Sequence, residues 1–291
     1  MLKNGKMNRP FVTFLALLSL LALTAGLAGC SGGAPASPAS AAPAQAASGQ
    51  SDWSYISGKG NMIIGITYFQ PMDYLDASGN LVGFEADFAR AVCEKIGVTP
   101  TFQVIDWDAK ETELNAKNID CIWNGMCVTD ERKQNMDLTQ PYMANRQVMV
   151  VRATDADKYS VDANIDGASV VAEKGSTGEP VAQDNPLFAK AKYTALDSQA
   201  KTLLEVKSGT ADIAVIDYTM ALASTGPGTD YTDLKIINGE RFDPQSYAVA
   251  FRKNSPETLA KVNQAMSGLA ADGTLKTIAD TYHLGDLLLL K

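Results

Sequence analysis

The chain is poor in the residues that most often carry catalysis. It contains one histidine, His283, and four cysteines among its 291 residues. No group of cysteines and histidines has the spacing of metal ligands, and no glycine-rich segment matches a phosphate-binding loop. We therefore predict no metal and no cofactor, assign His283 a structural or surface role, and favour a binding protein over an enzyme.

The sequence also lacks an excess of positive charge. Lysine and arginine number 25 against 33 aspartates and glutamates, which gives a net charge of −8. Removing the N-terminal cations Lys3, Lys6 and Arg9 with a leader peptide would take −8 to −11. Since no basic residues cluster along the chain, nucleic acid is an improbable partner.

The apolar run at 11–23 is shorter than the roughly 20 residues that span a bilayer. It follows three cations and precedes Leu27-Ala28-Gly29-Cys30, as in a secretory leader with a small-residue cleavage site. A cysteine at this place resembles the bacterial lipobox. The pattern predicts a lipoprotein signal peptide at 1–29, a diacylglyceryl group on Cys30, and an extracytoplasmic protein anchored to the membrane.

Residues 30–52 are dominated by Ser, Gly, Ala and Pro, and we predict a flexible tether there. With Cys30 lipidated, three cysteines remain, so at least one is unpaired. Cys93 lies on the apolar face of a predicted helix and Cys121 in a predicted core strand. Both are typical of buried small hydrophobes, and a Cys93–Cys121 disulfide is left open.

Beyond the tether, short apolar strands alternate with amphipathic helices, which is typical of an α/β fold with mostly parallel sheets. Strands or extended segments are predicted at 62–67, 101–105, 120–123, 147–151, 169–172, 212–216 and 247–251. Helices are predicted at 85–96, 110–116, 198–207, 256–270 and 275–282.

The segment from Asn118 to Tyr142 is the most informative. A buried strand ends in Asn124-Gly125, and the carboxyl ends of strands are where ligands bind in open α/β sheets. Thr129 is predicted to cap a short helix that carries Arg132. A guanidinium presents a rigid fork of donors that matches a carboxylate.

This segment resembles the bacterial extracellular solute-binding proteins that serve ABC transporters for polar amino acids. The resemblance covers about residues 60–284, with several short motifs in order. They are Gly83-Phe84-Glu85-Ala86-Asp87-Phe88, Ile105-Asp106-Trp107-Asp108, Thr129 to Arg132, Pro141-Tyr142, Lys174-Gly175-Ser176-Thr177, Ala211 to Asp217, and Asp272-Gly273-Thr274-Leu275.

The resemblance implies a two-lobed, type II periplasmic-binding-protein-like fold. Lobe one would comprise 53–150 and 248–291 and lobe two 151–247, joined by two hinge crossings near 150 and 247. The ligand would be an L-amino acid enclosed between the lobes by hinge closure. The partners would be the permease subunits of an ABC transporter, and we expect a monomer.

A zwitterionic ligand needs a partner for each of its charges. Arg132 is predicted to bind its carboxylate and Asp217, at the end of an apolar strand, its ammonium. The Gly125 carbonyl is a further candidate for the ammonium. Ser176 and Thr177 open a helix whose free N–H groups suit an anion, unless they only cap it.

Three aromatic residues, Tyr68, Phe69 and Trp107, are predicted to wall the ligand side chain, with a place in the core as the alternative. Asn124 is larger than the residue several relatives have there and is expected to narrow the site. Cys127 departs from the Thr or Ser of the family. Because a thiol is a weak donor, only its backbone N–H is expected to reach the carboxylate.

Two other functions stay open. Some dehydratases resemble this fold, and they need an acid/base carboxylate beside the substrate; Asp217 is the one candidate and is better explained as an ammonium partner. A sensory ligand-binding module is the other, although no signalling domain follows in the sequence.

Overall fold

A computed structural model describes residues 51–291. The predicted signal peptide, Cys30 and all but the last two residues of the predicted tether lie outside the described residues. The helices are Asp52–Lys59 (α1), Phe84–Ile96 (α2), Lys110–Asn115 (α3), Asp130–Asn135 (α4), Ala156–Tyr159 (α5), Gly178–Asp184 (α6), Gln199–Ser208 (α7), Tyr218–Ser224 (α8), Pro256–Ala271 (α9) and Thr274–Thr281 (α10). None of these helices in residues 51–291 is long and apolar enough to cross a membrane.

Two larger sheets and one hairpin hold the strands of the described residues. The strands are Asn61–Ile66 (β1), Tyr74–Leu75 (β2), Leu81–Val82 (β3), Thr99–Val104 (β4), Cys121–Ile122 (β5), Met136–Leu138 (β6), Met143–Arg152 (β7), Ser169–Glu173 (β8), Lys192–Leu196 (β9), Ile213–Asp217 (β10), Leu234–Ile237 (β11), Pro244–Tyr247 (β12) and Ala250–Arg252 (β13).

The first sheet has the order β4-β1-β5-β13-β6 and the second β11-β7-β10-β8-β9, while β2 and β3 form the hairpin. We call the parts of the chain built around the first and second sheets lobe one and lobe two. The predicted α/β class with mostly parallel sheets is confirmed, because in each of these two orders four of the five strands run in the same direction. In each sheet the strand that arrives from the other lobe, β13 or β7, runs antiparallel to its neighbours.

The two chain crossings between the lobes are strands that pair with each other. Met143–Arg146 at the start of β7 lies antiparallel to β12. From Gln147, which pairs with Asp217, β7 belongs to the second sheet. The first crossing therefore lies within β7, close to the predicted hinge near 150.

The folded part begins earlier than the sequence suggested. The Ser51 hydroxyl caps α1 by accepting from the Ser54 N–H at 3.1 Å. Asp52 pairs with the buried guanidinium of Arg252 at 2.6 Å, tying the helix to β13. The first helix and its cap therefore include the last two residues of the predicted tether, since polar residues with partners 200 positions away are invisible to local composition.

The cysteines of the described part are all free and buried, so the disulfide left open between Cys93 and Cys121 is not formed. The prediction that Cys93 and Cys121 are buried small hydrophobes is confirmed. Burial raises the pKa of the Cys93 thiol to about 12, which keeps it protonated and unreactive.

Candidate ligand-binding site

A narrow cavity lies between the two lobes, where strands of both sheets end. It is lined by Thr67, Tyr68, Phe69, Trp107, Asn124, Gly125, Cys127, Arg132, Glu173, Ser176, Thr177, Gln199 and Asp217. All ten residues singled out in the sequence are in this set. Thr67, Glu173 and Gln199 were missed.

The turn after β5 forms the floor of the cavity on the side of lobe one. Gly125 has φ +54°, and a Cβ there would lie 2.5 Å from the Phe69 ring, so the turn requires glycine. Its N–H points at the carboxylate of Glu85, 2.8 and 3.0 Å from the two oxygens. The orientation of the Gly125 peptide is thus set by a buried acid.

Glu85 belongs to a buried acidic cluster behind this turn. Burial raises the pKa of Glu85 to about 7, and burial together with the neighbouring Glu85 raises the pKa of Asp73. The Tyr142 hydroxyl donates to Glu85. The sequence carries a signal that Glu85 is buried. Glu85 and Ala86 lie in α2 between two core phenylalanines, Phe84 and Phe88.

Asn124 lines the cavity, but its amide is engaged inside lobe one. Its oxygen accepts from the Thr67 hydroxyl at 2.7 Å, and its nitrogen donates to the Thr67 carbonyl and to Asp73, each at 2.9 Å. Asn124 therefore shapes the floor and holds Thr67 in place.

Arg132 lies in α4 of lobe one and lines the cavity. Thr129 caps α4 as predicted, accepting from the Arg132 N–H at 3.1 Å. The guanidinium is 7% exposed and donates to the carbonyls of Cys127 at 2.8 Å and, across the cleft, Gly175 at 3.2 Å. Its carbon lies 6.0 Å from the centre of the Trp107 ring. A guanidinium has five donors, so these contacts leave several free toward the cavity.

Asp217 ends β10 on the opposite wall and is 3% exposed. Burial raises the pKa of its carboxyl, and hydrogen bonds from three amides oppose that effect. Gln147 donates at 2.9 Å, and Asn145 and Gln199 also donate. The amides solvate the carboxylate but carry no charge, so Asp217 offers an uncompensated anion.

The Cys127 sulfur lies 3.6 Å from an Asp217 oxygen and 3.3 Å from the Gln245 side-chain oxygen. Burial, with Asp217 nearby, raises the pKa of this thiol. Cys127 therefore contributes a neutral, weakly polar surface between Arg132 and Asp217.

Ser176 precedes the N-cap Thr177 of α6 and satisfies N–H groups of the helix, which favours the capping alternative over an open anion site. Its hydroxyl accepts from the N–H groups of Gly178 and Glu179 at 3.1 and 3.3 Å. Two of the helix amides are therefore already satisfied by the protein. Thr177 bonds instead to Gln147 and Gln245, at 2.9 and 3.2 Å, within the amide cluster beside Asp217.

The lobes touch through Gly175, whose carbonyl accepts from Arg132 and, at 3.0 Å, from the Lys110 ammonium. An exposed ion pair between Lys174 and Asp108 lies beside this contact, at 2.8 Å. Gly175 has φ +70°, and a Cβ there would lie 3.2 Å from both Asp108 and Lys110. Close approach of the lobes at this point depends on glycine.

A polar, interlobe cleft on two α/β lobes joined by paired strands defines a solute-binding protein. The chain belongs to the bacterial extracellular solute-binding proteins, family 3, whose family model matches residues 62–285. The fold is accordingly the two-lobed, type II periplasmic-binding-protein fold.

Relatives and solved structures cover most of the chain. The L-cystine-binding protein TcyJ of Escherichia coli (strain K12) is 25% identical over 234 residues, 80% of this chain and 86% of the relative. A substrate-binding protein of an ABC uptake transporter from Streptococcus pneumoniae, with bound histidine, has a TM-score of 0.74 and 29% identity, covering 82% and 98% of the two chains. The ancestral amino acid-binding protein AncCDT-1, a precursor of cyclohexadienyl dehydratase, has a TM-score of 0.71 and 27% identity, covering 78% and 97%.

Proposed function

We propose that this protein binds an L-amino acid between its lobes and delivers it to the permease of an ABC transporter. The observation that carries the proposal is a buried cation and a buried anion on opposite walls of one cavity. Arg132 comes from lobe one and Asp217 from lobe two. A ligand with both charges joins the lobes, and closure is favoured because the closed state binds it better.

Each part of the ligand has a partner of matching chemistry. The free donors of Arg132 bind the carboxylate, and Asp217 binds the ammonium with the Gly125 carbonyl as a second acceptor. Tyr68, Phe69 and Trp107 wall the side chain. The paired strands β7 and β12 act as the hinge. The cystine- and histidine-binding relatives support the choice of an amino acid.

A thermal-shift screen of the purified protein against the amino acids, small organic acids and sugars tests this proposal. A ligand that binds only the folded state raises the melting temperature by mass action, by about 2.7 kcal/mol of stability at 100 times Kd. We expect one or a few L-amino acids to do so. Stabilisation by organic acids or sugars alone would contradict the proposal.

The likeness to AncCDT-1 keeps a dehydratase-like activity as a second candidate. Glu173 adds an observation in its favour, because burial raises the pKa of this cavity carboxyl to about 8, which suits a general acid. We propose binding without turnover. Incubation of the protein with the stabilising ligand, followed by mass spectrometry, should recover the ligand unchanged, and a dehydrated or decarboxylated product would establish the enzyme.

We further propose that the protein works as a monomer outside the cytoplasm, held at the membrane by lipid on Cys30. The supporting feature is Leu27-Ala28-Gly29-Cys30 after the apolar run. Cells that express wild type should incorporate labelled fatty acid into it, whereas Cys30→Ala should incorporate none. Equal labelling of both forms would remove the assignment.

Replacement of Gly175 should impair closure more than it impairs folding. Alanine is strained at φ +70° by about 1–2 kcal/mol, and its Cβ would press on Asp108 and Lys110 of the other lobe. Gly167→Ala is the matched control, since Gly167 has φ +78° with nothing within 4 Å of the new Cβ. We expect Gly175→Ala to weaken ligand binding roughly 5- to 10-fold, about 1–1.4 kcal/mol, and Gly167→Ala to leave it unchanged. Calorimetry that found equal affinities in the two variants would refute the closure role.

A further inference from the structure

Glu173 is the cavity residue whose chemistry the zwitterion does not use. It ends β8 in lobe two and is 4% exposed. A buried carboxylate normally accepts several hydrogen bonds. Within residues 51–291, neither side-chain oxygen of Glu173 accepts one of ordinary geometry, although the nearby Gln199 amide partly offsets the effect of burial. Glu173 therefore lines the cavity with acceptor capacity that the protein leaves unused.

With Glu173 ionised, the charges around the bound ligand do not balance without a further cation. The ligand carboxylate is matched by Arg132 and the α-ammonium by Asp217. Lys110 of lobe one is the cation that acts on Glu173. Its ammonium, however, donates to the carbonyls of Trp107 at 3.1 Å and Gly175 at 3.0 Å. Glu173 and Lys110 form no ion pair within 4.0 Å among the described residues. One negative charge of the site is thus left over.

The surroundings of Glu173 disfavour its ionised form in the ligand-free protein. Asp217 from lobe two and Asp106 from lobe one raise the pKa of Glu173, whereas Lys110 lowers it, and desolvation is the largest effect. The wall opposite is aromatic, with Tyr68, Phe69 and Trp107 on the same cavity. Aromatic faces attract cations, so these aromatic walls and Glu173 together match a side chain that is apolar along its length and positive at its end.

We propose that Glu173 binds the cationic end of the ligand's side chain and makes a basic L-amino acid the preferred ligand. This inference rests on the proposed function, since it assumes that Arg132 and Asp217 hold the α-carboxylate and α-ammonium. It assigns to Glu173 the discrimination between a basic amino acid and a neutral one of the same shape. L-arginine and L-citrulline form such a pair, because citrulline replaces the guanidinium with a neutral urea.

A second consequence separates this role from a merely structural one. With a pKa near 8, Glu173 is mostly protonated at pH 7 in the free protein. A cation beside it favours the charged form and lowers the pKa, so binding of arginine should release a proton from Glu173. Citrulline offers no cation and should release none there.

The test is calorimetric titration of the purified protein with L-arginine and L-citrulline at pH 7, in two buffers of different ionisation enthalpy. We expect wild type to prefer arginine by tenfold or more and to release up to one proton with arginine only. Glu173→Gln should lose both the proton release and most of the preference, mainly by weaker arginine binding. Asp184→Asn, an exposed change of the same charge in lobe two, should keep wild-type values for both ligands. Thermal unfolding of the ligand-free variants checks that each remains folded.

The outcomes distinguish the two proposals. If neither compound nor any other amino acid binds to wild type, the proposed function itself fails. If wild type binds neutral amino acids as tightly as arginine, or if Glu173→Gln keeps the preference and the proton release, the role of Glu173 is overturned while amino-acid binding stands.

Discussion

Arg132→Ala is expected to weaken amino-acid binding by about 30-fold or more. The substitution leaves the ligand carboxylate buried without its charged partner, which costs roughly 2–5 kcal/mol at binding interfaces, and each 1.4 kcal/mol is tenfold in affinity. The structure adds a second reason. The same guanidinium donates to the Gly175 carbonyl across the cleft, so its removal also takes away a contact that holds the lobes together.

Calorimetry with the amino acid selected by the thermal screen measures this effect. Lys133→Ala is a suitable control, because Lys133 is the next residue of α4 and its side chain is 57% exposed. Arg132→Lys should recover little affinity, since an ammonium cannot reproduce the fork that spans two acceptors. Wild-type affinity in Arg132→Ala would exclude Arg132 from the site.

Asp217→Asn is expected to produce a loss of the same size, again about 30-fold or more by the cost of an unmatched buried charge. The amide keeps the shape of the carboxylate but has no charge for the ammonium. Its NH₂ group would also face the donor amides of Asn145, Gln147 and Gln199, which disturbs the wall of the cavity. Both effects act on binding in the same direction.

The ligand dependence of this variant makes the prediction specific. Asp217→Asn should lose discrimination between an amino acid and its deaminated acid, whereas Arg132→Ala should lose it between the amino acid and its decarboxylated amine. Asp233→Asn, at an exposed position of lobe two, should leave affinity and discrimination unchanged. An Asp217→Asn protein that still prefers the amino acid as strongly as wild type would assign the ammonium to another group.

The residues at strand ends were accessible from sequence because their positions follow from one rule. Neighbouring strands of an open α/β sheet present their carboxyl ends at a common edge. Asn124, Gly125 and Asp217 each follow an apolar strand, and the structure places all three on one cavity. Glu173 also ends an apolar strand, so the same rule applied evenly would have found it.

Other features depend on packing between distant parts of the chain. Gln199 begins α7 and reaches Asp217 only because the helix and β10 are neighbours. Asn145 and Gln147 lie on the crossing strand β7, of which the sequence predicted only an extended segment at 147–151. Glu85 is 40 residues from the glycine whose peptide it orients. Local composition and periodicity do not connect such pairs, so they could not be predicted from the sequence.

Two features of the fold were hidden from the sequence for the same physical reason. The sequence indicates where strands and helices lie, but not which partners satisfy their polar groups. Ser176 was assigned helix amides open to an anion, whereas its own hydroxyl occupies two of them. The one strand that runs against the others in each sheet, β7 or β13, arrives from the other lobe, and its own sequence does not show this direction. In both cases the deciding bonds form only once the tertiary structure exists.

The central claim is that one ligand is held by its carboxylate on Arg132 and by its ammonium on Asp217. Calorimetric titration of the wild-type protein tests it most directly, with three compounds that share a side chain: the selected L-amino acid, its decarboxylated amine and its deaminated acid. We predict that each analogue binds at least about 30-fold more weakly than the amino acid, in line with one unmatched buried charge in each case. Affinity of either analogue equal to that of the amino acid would contradict the claim.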